Sequence, residues 1–283
     1  MAENLKIFVC THKKSEYTRN GGVYLAVQGG AELHKELELG FVKDNIGDNI
    51  SIKNPYYSEL TVLYWGWKNY NHSKYKGLCH YRRYFDINFE VSDIETLIKG
   101  HDLIAVKSSK MLSRRERAWN LMYMTSQEDY YIFADTFLTL YPEYEKEFMT
   151  YFYNSRESFP FQMFIASKEI YNDYCNFVFR VLFQVEEKLL AHGYSRQKRT
   201  IGYIGEWMLG LYIYCKKIKV KKIDIVQSET NNKNSFMSKA KHTLLSSIHS
   251  ILDIINRSPK KIAIPSHVKA GLQNDGIKMT FLK

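Results

Sequence analysis

The residues best suited to chemistry form a short cationic segment, His80-Tyr81-Arg82-Arg83, which follows an apolar run at residues 77–79. An arginine guanidinium can hold two phosphate oxygens at once and can screen the charge that develops on a departing phosphate. Strand alternation predicts that His80 and Arg82 share one face, and Tyr81 and Arg83 the other. We therefore expect at least one arginine to contact a phosphate, with a structural ion pair as the alternative.

Further polar candidates stand where apolar runs end. Thr11 and His12 follow the β-prone run at residues 5–10, and many nucleotide-binding α/β folds open with a strand that stops at a polar loop. Both are predicted to contact a nucleotide base or ribose, with an exposed loop as the alternative. Asp48, Asn49 and Ser51 can exchange hydrogen bonds with a base or sugar, although Asp48 is equally suited to forming a turn.

These side chains need strands and helices to position them, and the hydrophobic pattern predicts both. Asn54 and Pro55 are typical of an N-cap and a first helical residue. The helix that follows carries one buried stripe, formed by Leu60, Leu63, Tyr64 and Trp67. Strands are predicted at residues 5–10, 23–30, 77–81, 101–106 and 219–226, and helices at 130–140, 143–153, 168–190 and 204–214. This order predicts an α/β core with a helical second half.

The net charge is concentrated in one part of the chain. The 283 residues hold 40 Lys and Arg against 30 Asp and Glu, a net charge of +10. Residues 216–283 carry 14 basic and 4 acidic side chains, so residues 1–215 are neutral overall. A neutral body disfavours nucleic acid as a partner, because phosphate backbones need concentrated cations. Most of the 22 tyrosines are then predicted to pack in the core rim or to line a carbohydrate cleft.

The basic excess defines a C-terminal tail at residues 227–283. Residues 236–256 are predicted to form an amphipathic helix flanked by cations, which can lie on an anionic membrane surface. Packing on the body or on a second subunit is the alternative. Four scattered cysteines, the lack of a signal peptide and the lack of a spanning apolar run predict a cytoplasmic protein with free thiols, peripheral at the inner face of the plasma membrane.

A set of motifs between residues 45 and 85 resembles a known family. The motifs are Gly47-Asp48-Asn49-Ile50-Ser51, Ser58-Glu59-Leu60-Thr61, Leu63-Tyr64-Trp65-Gly66-Trp67-Lys68-Asn69 and Gly77-Leu78-Cys79-His80-Tyr81-Arg82-Arg83-Tyr84-Phe85. They resemble the domain-of-unknown-function 4422 family of capsular and exopolysaccharide gene clusters, over about residues 5–225. The resemblance implies a glycosyltransferase with a GT-A-like nucleotide-sugar-binding core, and some members are associated with galactose or galactofuranose transfer.

The residues predicted to bind substrate lie in these motifs and in three further matching stretches, Lys6 to Lys13, Gln28-Gly29-Gly30-Ala31 and Gln162-Met163-Phe164-Ile165. Besides Thr11, His12, Asp48, Asn49 and Ser51, they are Gln28, Glu59, Lys68, Asn69, His80, Arg82, Arg83, Tyr84 and Gln162. Glu59 lies beside the buried stripe of its helix, so it can point into a cleft or remain at the surface. Gln162 stands where the family usually has Asn.

Transferases of the GT-A type commonly bind the donor diphosphate through an Asp-x-Asp motif and a divalent metal. No Asp-x-Asp occurs in this sequence, and the corresponding place reads His80-Tyr81-Arg82-Arg83. We therefore expect cationic side chains to replace the metal, so that no cofactor is required. Asp86, which follows directly, keeps a Mn²⁺ or Mg²⁺ site open.

Glu206 is the predicted catalytic base, since an inverting transfer needs one at the acceptor hydroxyl. It stands near the start of the predicted helix at residues 204–214, after Arg199. A carboxylate near a helix N-terminus is stabilised in its charged form, so a structural Arg199–Glu206 pair is an equal alternative. A retaining transfer would need no such base.

Together these features predict two parts, a glycosyltransferase domain at residues 1–226 and the basic tail at 227–283. The expected reaction moves a sugar from a UDP-sugar donor to a lipid-linked oligosaccharide. The alternatives are a non-catalytic scaffold of a polysaccharide assembly and, from a different class, a nucleic-acid-binding module. A homo-oligomer is compatible with both the glycosyltransferase and the scaffold.

The missing Asp-x-Asp motif generates a metal-removal prediction. If arginine side chains take the place of the metal, EDTA should not change the rate of UDP release from a nucleotide sugar in the presence of acceptor. The measurement is a coupled UDP-release assay with and without chelator. Complete loss of turnover with EDTA, restored by Mn²⁺, would contradict the prediction and point to Asp86.

Overall fold

The computed structural model describes residues 4–108, 110–190, 199–227, 253 and 259–282. Contacts divide the chain into two units. The sheet unit comprises Met1–Ser108, Phe159–Phe179 and Gly205–Glu229, and the helical unit comprises Ser109–Ser158, Arg180–Ile204 and Thr230–Lys283. Each unit is assembled from separate stretches of sequence, and the division at residue 226 stays a prediction.

The described residues form nine strands and nine α-helices. The strands are β1 (Leu5–Thr11), β2 (Tyr24–Gln28), β3 (Val42–Lys43), β4 (Tyr75–His80), β5 (Arg83–Phe85), β6 (Leu103–Val106), β7 (Phe164–Ser167), β8 (Val220–Ile223) and β9 (Ile225–Gln227). The helices are α1 (Asn54–Tyr57), α2 (Leu60–Asn69), α3 (Ile94–Ile98), α4 (Glu116–Met124), α5 (Gln127–Leu140), α6 (Glu145–Met149), α7 (Lys168–Leu190), α8 (Thr200–Lys216) and α9 (Ser266–Asn274).

One mixed sheet carries the sheet unit, in the order β3-β2-β1-β4-β7-β6-β8, with β5 paired to β4 and β9 to β5. The first four strands of that order run parallel, and β7 is antiparallel to β4 and β6. β1 lies between β2 and β4 and is buried along nearly its whole length. Its almost continuous apolar sequence fits a strand covered on both faces.

Both faces of the sheet are packed. On one face, Ile7 and Val9 of β1 join a core with Ile94, Ile98 and Ile165. On the other face, the ring of Phe8 meets the edges of Trp65, Tyr70 and Tyr171, with ring centroids 5.4–6.1 Å apart.

α2 can approach β1 closely because Gly66 has no side chain. A Cβ at this position would stand 2.4 Å from Cε2 of Phe8, far inside van der Waals contact. The helix therefore lies directly on the strand whose end carries Thr11, and it has little freedom to shift.

The α/β order predicted from sequence is confirmed, with local corrections. The helix predicted to follow Asn54 without interruption is broken, because Ser58 adopts a positive φ of 53° between α1 and α2. The Asn54 side-chain amide fills the break by donating to the Ser58 carbonyl and to Thr61 Oγ1, both at 3.0 Å. The late strand predicted at residues 219–226 is two strands, β8 and β9, separated at Asp224.

The helical unit packs around α5, and its C-terminal residues return to that helix. The buried carboxylate of Asp135 accepts backbone N–H bonds from Thr280, Phe281 and Leu282 at 2.8–2.9 Å, and Lys188 lies 3.1 Å away. The Tyr131 hydroxyl donates to the Ala263 carbonyl at 3.1 Å. Residues 259–282 of the predicted tail therefore pack against α5 within the helical unit. The amphipathic helix predicted at residues 236–256 lies outside the described residues, apart from Asp253.

All four cysteines are free thiols, as the sequence predicted. Within the described ranges, no helix combines the length and the apolar character that crossing a bilayer requires.

Lys76 is a fully buried lysine on β4. Its ammonium donates to the carbonyls of Gly66 and Tyr70 at the end of α2 and to Asn172 Oδ1, at 3.1–3.3 Å. It also lies 4.4 Å from the Tyr171 ring centroid. Burial lowers the pKa of Lys76 from 10.5 to about 8.

That depressed pKa predicts a pH-dependent stability. Between about pH 8 and 10.5 the unfolded chain binds a proton that the folded chain does not, so the contribution of Lys76 to the free energy of unfolding rises with pH. Relative to Lys76→Met, the wild type should therefore gain roughly 1 kcal/mol between pH 8 and 9.5, measured by urea unfolding. The exposed Lys99→Met is the control, and identical pH profiles for Lys76→Met and wild type would contradict the prediction.

Candidate functional site

The carboxyl ends of β1, β2 and β4 meet at one edge of the sheet, where α/β folds commonly bind ligands. The strand registers place Thr11 beside Gln28, and Cys10 beside His80. Thr11 and Gln28 are buried, and their side chains donate to the carbonyls of Lys13 at 2.7 Å and Leu37 at 3.1 Å. These two residues shape the loops at this edge, while His12 is exposed and His80 half-buried.

The cationic segment is a tight hairpin rather than a continuing strand. β4 ends at His80, and β5 begins at Arg83, with which His80 pairs. The predicted alternation, with His80 and Arg82 on one face, is therefore wrong, because Tyr81 and Arg82 form the turn. His80 and Arg83 instead share one neighbour. His80 Nε2 donates to the Phe161 carbonyl at 2.7 Å, and the Arg83 guanidinium lies 4.3 Å from the Phe161 ring centroid.

Three nitrogen-bearing side chains surround the ring of Tyr81. The Arg82 guanidinium lies 4.7 Å and the Lys13 ammonium 5.8 Å from the ring centroid, and the His12 ring meets it edge-on at 5.5 Å. Arg82 also donates to the Tyr81 hydroxyl. A cation over an aromatic face is held by electrostatic attraction to the ring. We call Lys13, Arg82 and His12 the Tyr81 cluster, which concentrates positive charge at the carboxyl edge.

Tyr84 lies beneath this hairpin with only 1% of its surface exposed. Its hydroxyl accepts the Arg19 backbone N–H at 2.9 Å and lies within hydrogen-bonding distance of the Tyr17 and Tyr81 carbonyls. Burial raises the pKa of Tyr84, so the hydroxyl stays protonated. These bonds fasten the loop after β1 to the hairpin, and a direct contact between Tyr84 and substrate stays a prediction.

A buried carboxylate, Asp44, organises the loops that follow β2 and β3. Its two oxygens accept the backbone N–H groups of Gly30 at 2.9 Å and Ala31 at 3.0 Å, together with the Ser51 hydroxyl. Ser51 Oγ in turn accepts the Glu32 N–H at 3.0 Å. The N–H groups of Gly30 and Ala31, in a turn where a phosphate could otherwise bind, thus face a carboxylate.

α2 holds the loop at residues 44–51 from the other side. The Tyr64 hydroxyl donates to the Asp48 carboxylate, and Trp65 Nε1 to the Ile46 carbonyl, both at 3.1 Å. Burial and then the bond to Asp48 raise the pKa of Tyr64 to about 12. Asn69 accepts the Asp48 N–H at 3.1 Å and donates to the Asp48 carbonyl at 2.7 Å.

Asn49 and Lys68, also predicted to bind substrate, contact the loop and α2. Asn49 donates to the Gly47 carbonyl at 2.8 Å, within the loop itself. The Lys68 ammonium lies 3.7 Å from the Trp67 ring centroid. For Asp48, Asn49, Ser51, Lys68 and Asn69 the contacts explain why these residue types occur together, and substrate contact stays a prediction.

Gln162 is fully buried. It follows Phe161, the residue that contacts His80 and Arg83 of the hairpin. Gln162 and Phe161 have positive φ angles, 55° and 69°, which is strained for side chains of this size. Gln162 Oε1 accepts the Tyr174 hydroxyl at 2.5 Å, whereas its Nε2 is buried with no hydrogen-bond partner in the described chain. A Cβ on Gly205 would stand 3.0 Å from that Nε2, so α8 passes directly over Gln162.

The two predicted carboxylates occupy different settings. Glu59 lies near the end of β1, where burial and then the charges of Glu59 and Asp44 raise the pKa of the Cys10 thiol. Glu206 is half-buried on α8, next to Gly205. The expectation that Glu206 begins its helix is wrong, because α8 starts at Thr200 and Glu206 lies in its second turn. The helix N-terminus is instead preceded by Arg199, which is exposed.

Asp86 is exposed directly after β5, and its backbone N–H donates to the Asp224 carbonyl at 2.9 Å. No three His, Cys, Asp or Glu side chains within the described stretches are grouped as a metal ion would need.

The model of the family with the domain of unknown function DUF4422 matches residues 6–217. The chain belongs to this family. The resemblance recognised in the motifs between residues 45 and 85 is thereby confirmed. No curated protein sequence matches the chain.

The apo structure of the bifunctional glycosyltransferase WbbM is similar to this DUF4422 chain, with a TM-score of 0.69 and 25% sequence identity over 80% of the chain. The chain spans 46% of WbbM, just under half of its length. The match confirms the predicted GT-A-like α/β core and supports an activity of the glycosyltransferase class.

Sequence reasoning missed three residues of this DUF4422 site. Lys13 was only part of a polar loop, although its spacing from Thr11 places it directly after a strand end. Asp44 stands among turn-forming residues in the sequence, which conceals its role, and Phe161 carries no local signal, because its contacts with His80 and Arg83 join residues about 80 positions apart.

The role of Asp44 generates a stability prediction. Asp44→Asn removes the charge that three donors share and turns one acceptor into an N–H₂ group, so the free energy of unfolding should fall by about 2–4 kcal/mol. Urea unfolding is the measurement, with the exposed Asp86→Asn as the matched control. An Asp44→Asn variant as stable as wild type would show that the loops do not depend on this carboxylate.

Proposed function

We propose that this chain is a glycosyltransferase that moves a hexose from a UDP-sugar donor to a lipid-linked oligosaccharide acceptor. The observation that carries the proposal is the Tyr81 cluster at the carboxyl edge of a GT-A-like sheet. Family membership and the fold match with WbbM support the reaction class.

In this proposal the Tyr81 cluster binds the donor diphosphate. Arg82 offers a planar fork of N–H donors and Lys13 a compact charge, both fixed against a buried ring. The bond between the anomeric carbon and the diphosphate oxygen breaks as an acceptor hydroxyl attacks that carbon. Arg82 and Lys13 screen the negative charge that UDP gains as it leaves.

The acceptor side is assigned to α8. For an inverting transfer Glu206 takes the proton of the attacking hydroxyl, and Arg199 remains a catalytic candidate at the start of the helix. Gln162 is buried under the neighbouring Gly205, so its proposed part in substrate binding is to support α8 beside the acceptor. We propose a galactose-like sugar and a role in capsule or exopolysaccharide assembly on the basis of the family resemblance.

The acceptor also sets the proposed location. A lipid-linked oligosaccharide resides at the inner face of the plasma membrane, so the protein is proposed to be cytoplasmic and membrane-peripheral, with the basic tail drawn to anionic lipid.

Substitutions in the Tyr81 cluster test the donor role. Arg82→Ala should lower kcat for UDP release about a hundredfold, because it removes a donor aimed at developing charge. Lys13→Ala should have a smaller effect in the same direction, and Arg82→Lys should recover part of the loss. Lys14→Ala, an exposed neighbour, is the matched control.

The same panel separates the rival functions. Thermal shifts with UDP-sugars should be present in wild type and reduced in Arg82→Ala. Unchanged turnover in Arg82→Ala, with its fold intact by circular dichroism, would refute the diphosphate role. Binding of UDP-sugar without any turnover would favour a non-catalytic scaffold.

A further inference from the structure

Two large aromatic side chains stand exposed on one helix of the helical unit. Trp119 and Tyr123 of α4 are 58% and 90% exposed. They are four positions apart and therefore share one helix face. The opposite face of α4 is buried, through Arg117, Ala118 and Leu121. α4 therefore has one face that packs in the helical unit and one face whose large aromatic rings are exposed to water, which is unfavourable.

Trp119 is also unlike the other tryptophans of the chain. Trp65 is only 7% exposed, and Trp67 and Trp207 are half-buried. The chain has four tryptophans in all, and residues 228–283 contain none. A tryptophan signal that responds to a surface partner would therefore come from α4 rather than from the basic tail.

Cations precede this aromatic pair in the sequence, with Glu116 following them in the first turn of α4. Lys110 and Arg114 are exposed just before α4, and Arg115 is half-buried there. The Arg114 backbone N–H donates to both carboxylate oxygens of Asp253, at 3.0 and 3.2 Å. Asp253 belongs to the sequence segment 236–256 that is amphipathic and basic at its ends. The cationic start of α4 thus touches a residue of that segment.

We infer that the Trp119–Tyr123 face of α4 contacts an anionic bilayer surface. Indole and phenol rings prefer the headgroup level of a membrane, where one side is apolar and the other wet. Lysine and arginine beside them gain from the negative surface potential of the leaflet. Charge complementarity therefore favours anionic lipid over an apolar protein partner. The inference rests on the proposed lipid-linked acceptor and adds the element that would set the helical unit on the membrane.

Tryptophan fluorescence of the full chain tests this contact directly. Vesicles of phosphatidylcholine containing phosphatidylglycerol should shift the emission to the blue, and brominated lipid should quench it. Pure phosphatidylcholine vesicles should give much smaller changes. Trp119→Phe should abolish the quenching while vesicle binding persists, because phenylalanine keeps the apolar ring and removes the reporter.

Vesicle flotation gives the energetic test. Trp119→Ser with Tyr123→Ser should weaken binding to the anionic vesicles roughly tenfold, because two aromatic side chains no longer leave water. Tyr56→Ser, which changes an exposed tyrosine of the sheet unit, should bind as wild type does. Equal binding by the double variant, or no quenching in wild type, would overturn the inference. A dimer that only the double variant disrupts would assign the face to a second copy and overturn it as well.

The readouts are independent of catalysis. Turnover on a soluble acceptor without vesicles should be the same in wild type and in the double variant. If that turnover is absent in both while quenching persists, the proposed function fails and the membrane contact stands.

Discussion

The carboxylate of Asp44 is buried, and the carboxyl edge of the sheet depends on how that charge is satisfied. An unpaired buried carboxylate is very costly, so its oxygens must find donors. They find them in the turn after β2 and in Ser51, which ties two loops together. α2 then holds the outer part of the same loop through Tyr64, Trp65 and Asn69. The family motifs at residues 47–51 and 63–69 thus hold a single loop in place.

The same constraint decides which groups at the edge are already bonded. Asp44 accepts the N–H groups of Gly30 and Ala31, so in the proposed function a phosphate is met by side chains rather than by this turn. In the proposed function those side chains are Lys13 and Arg82, which lie 5.8 Å and 4.7 Å from the centroid of the buried Tyr81 ring. Cations already placed beside a departing diphosphate would screen the charge that it gains.

In the helical unit a second buried carboxylate holds the end of the described chain. Its C-terminal residues are bound by the buried Asp135, so residues 259–282 return to α5. Sequence alone left packing and membrane contact as alternatives for the whole tail. The structure gives packing to its last part, residues 259–282, and leaves Trp119 and Tyr123 of α4 exposed on the same unit.

The sequence by itself determined the α/β class, the first strand, the long helix α7 and the family, because periodicity and local motifs are read from neighbours in the chain. The tertiary structure alone decided where the motif residues lie and which side chains they contact. The hairpin placed Arg83 rather than Arg82 beside His80, since Tyr81 and Arg82 form a turn in place of a continuing strand. Phe161 joined the site through contacts across about 80 residues. Such pairings depend on packing between distant segments, which no local pattern encodes.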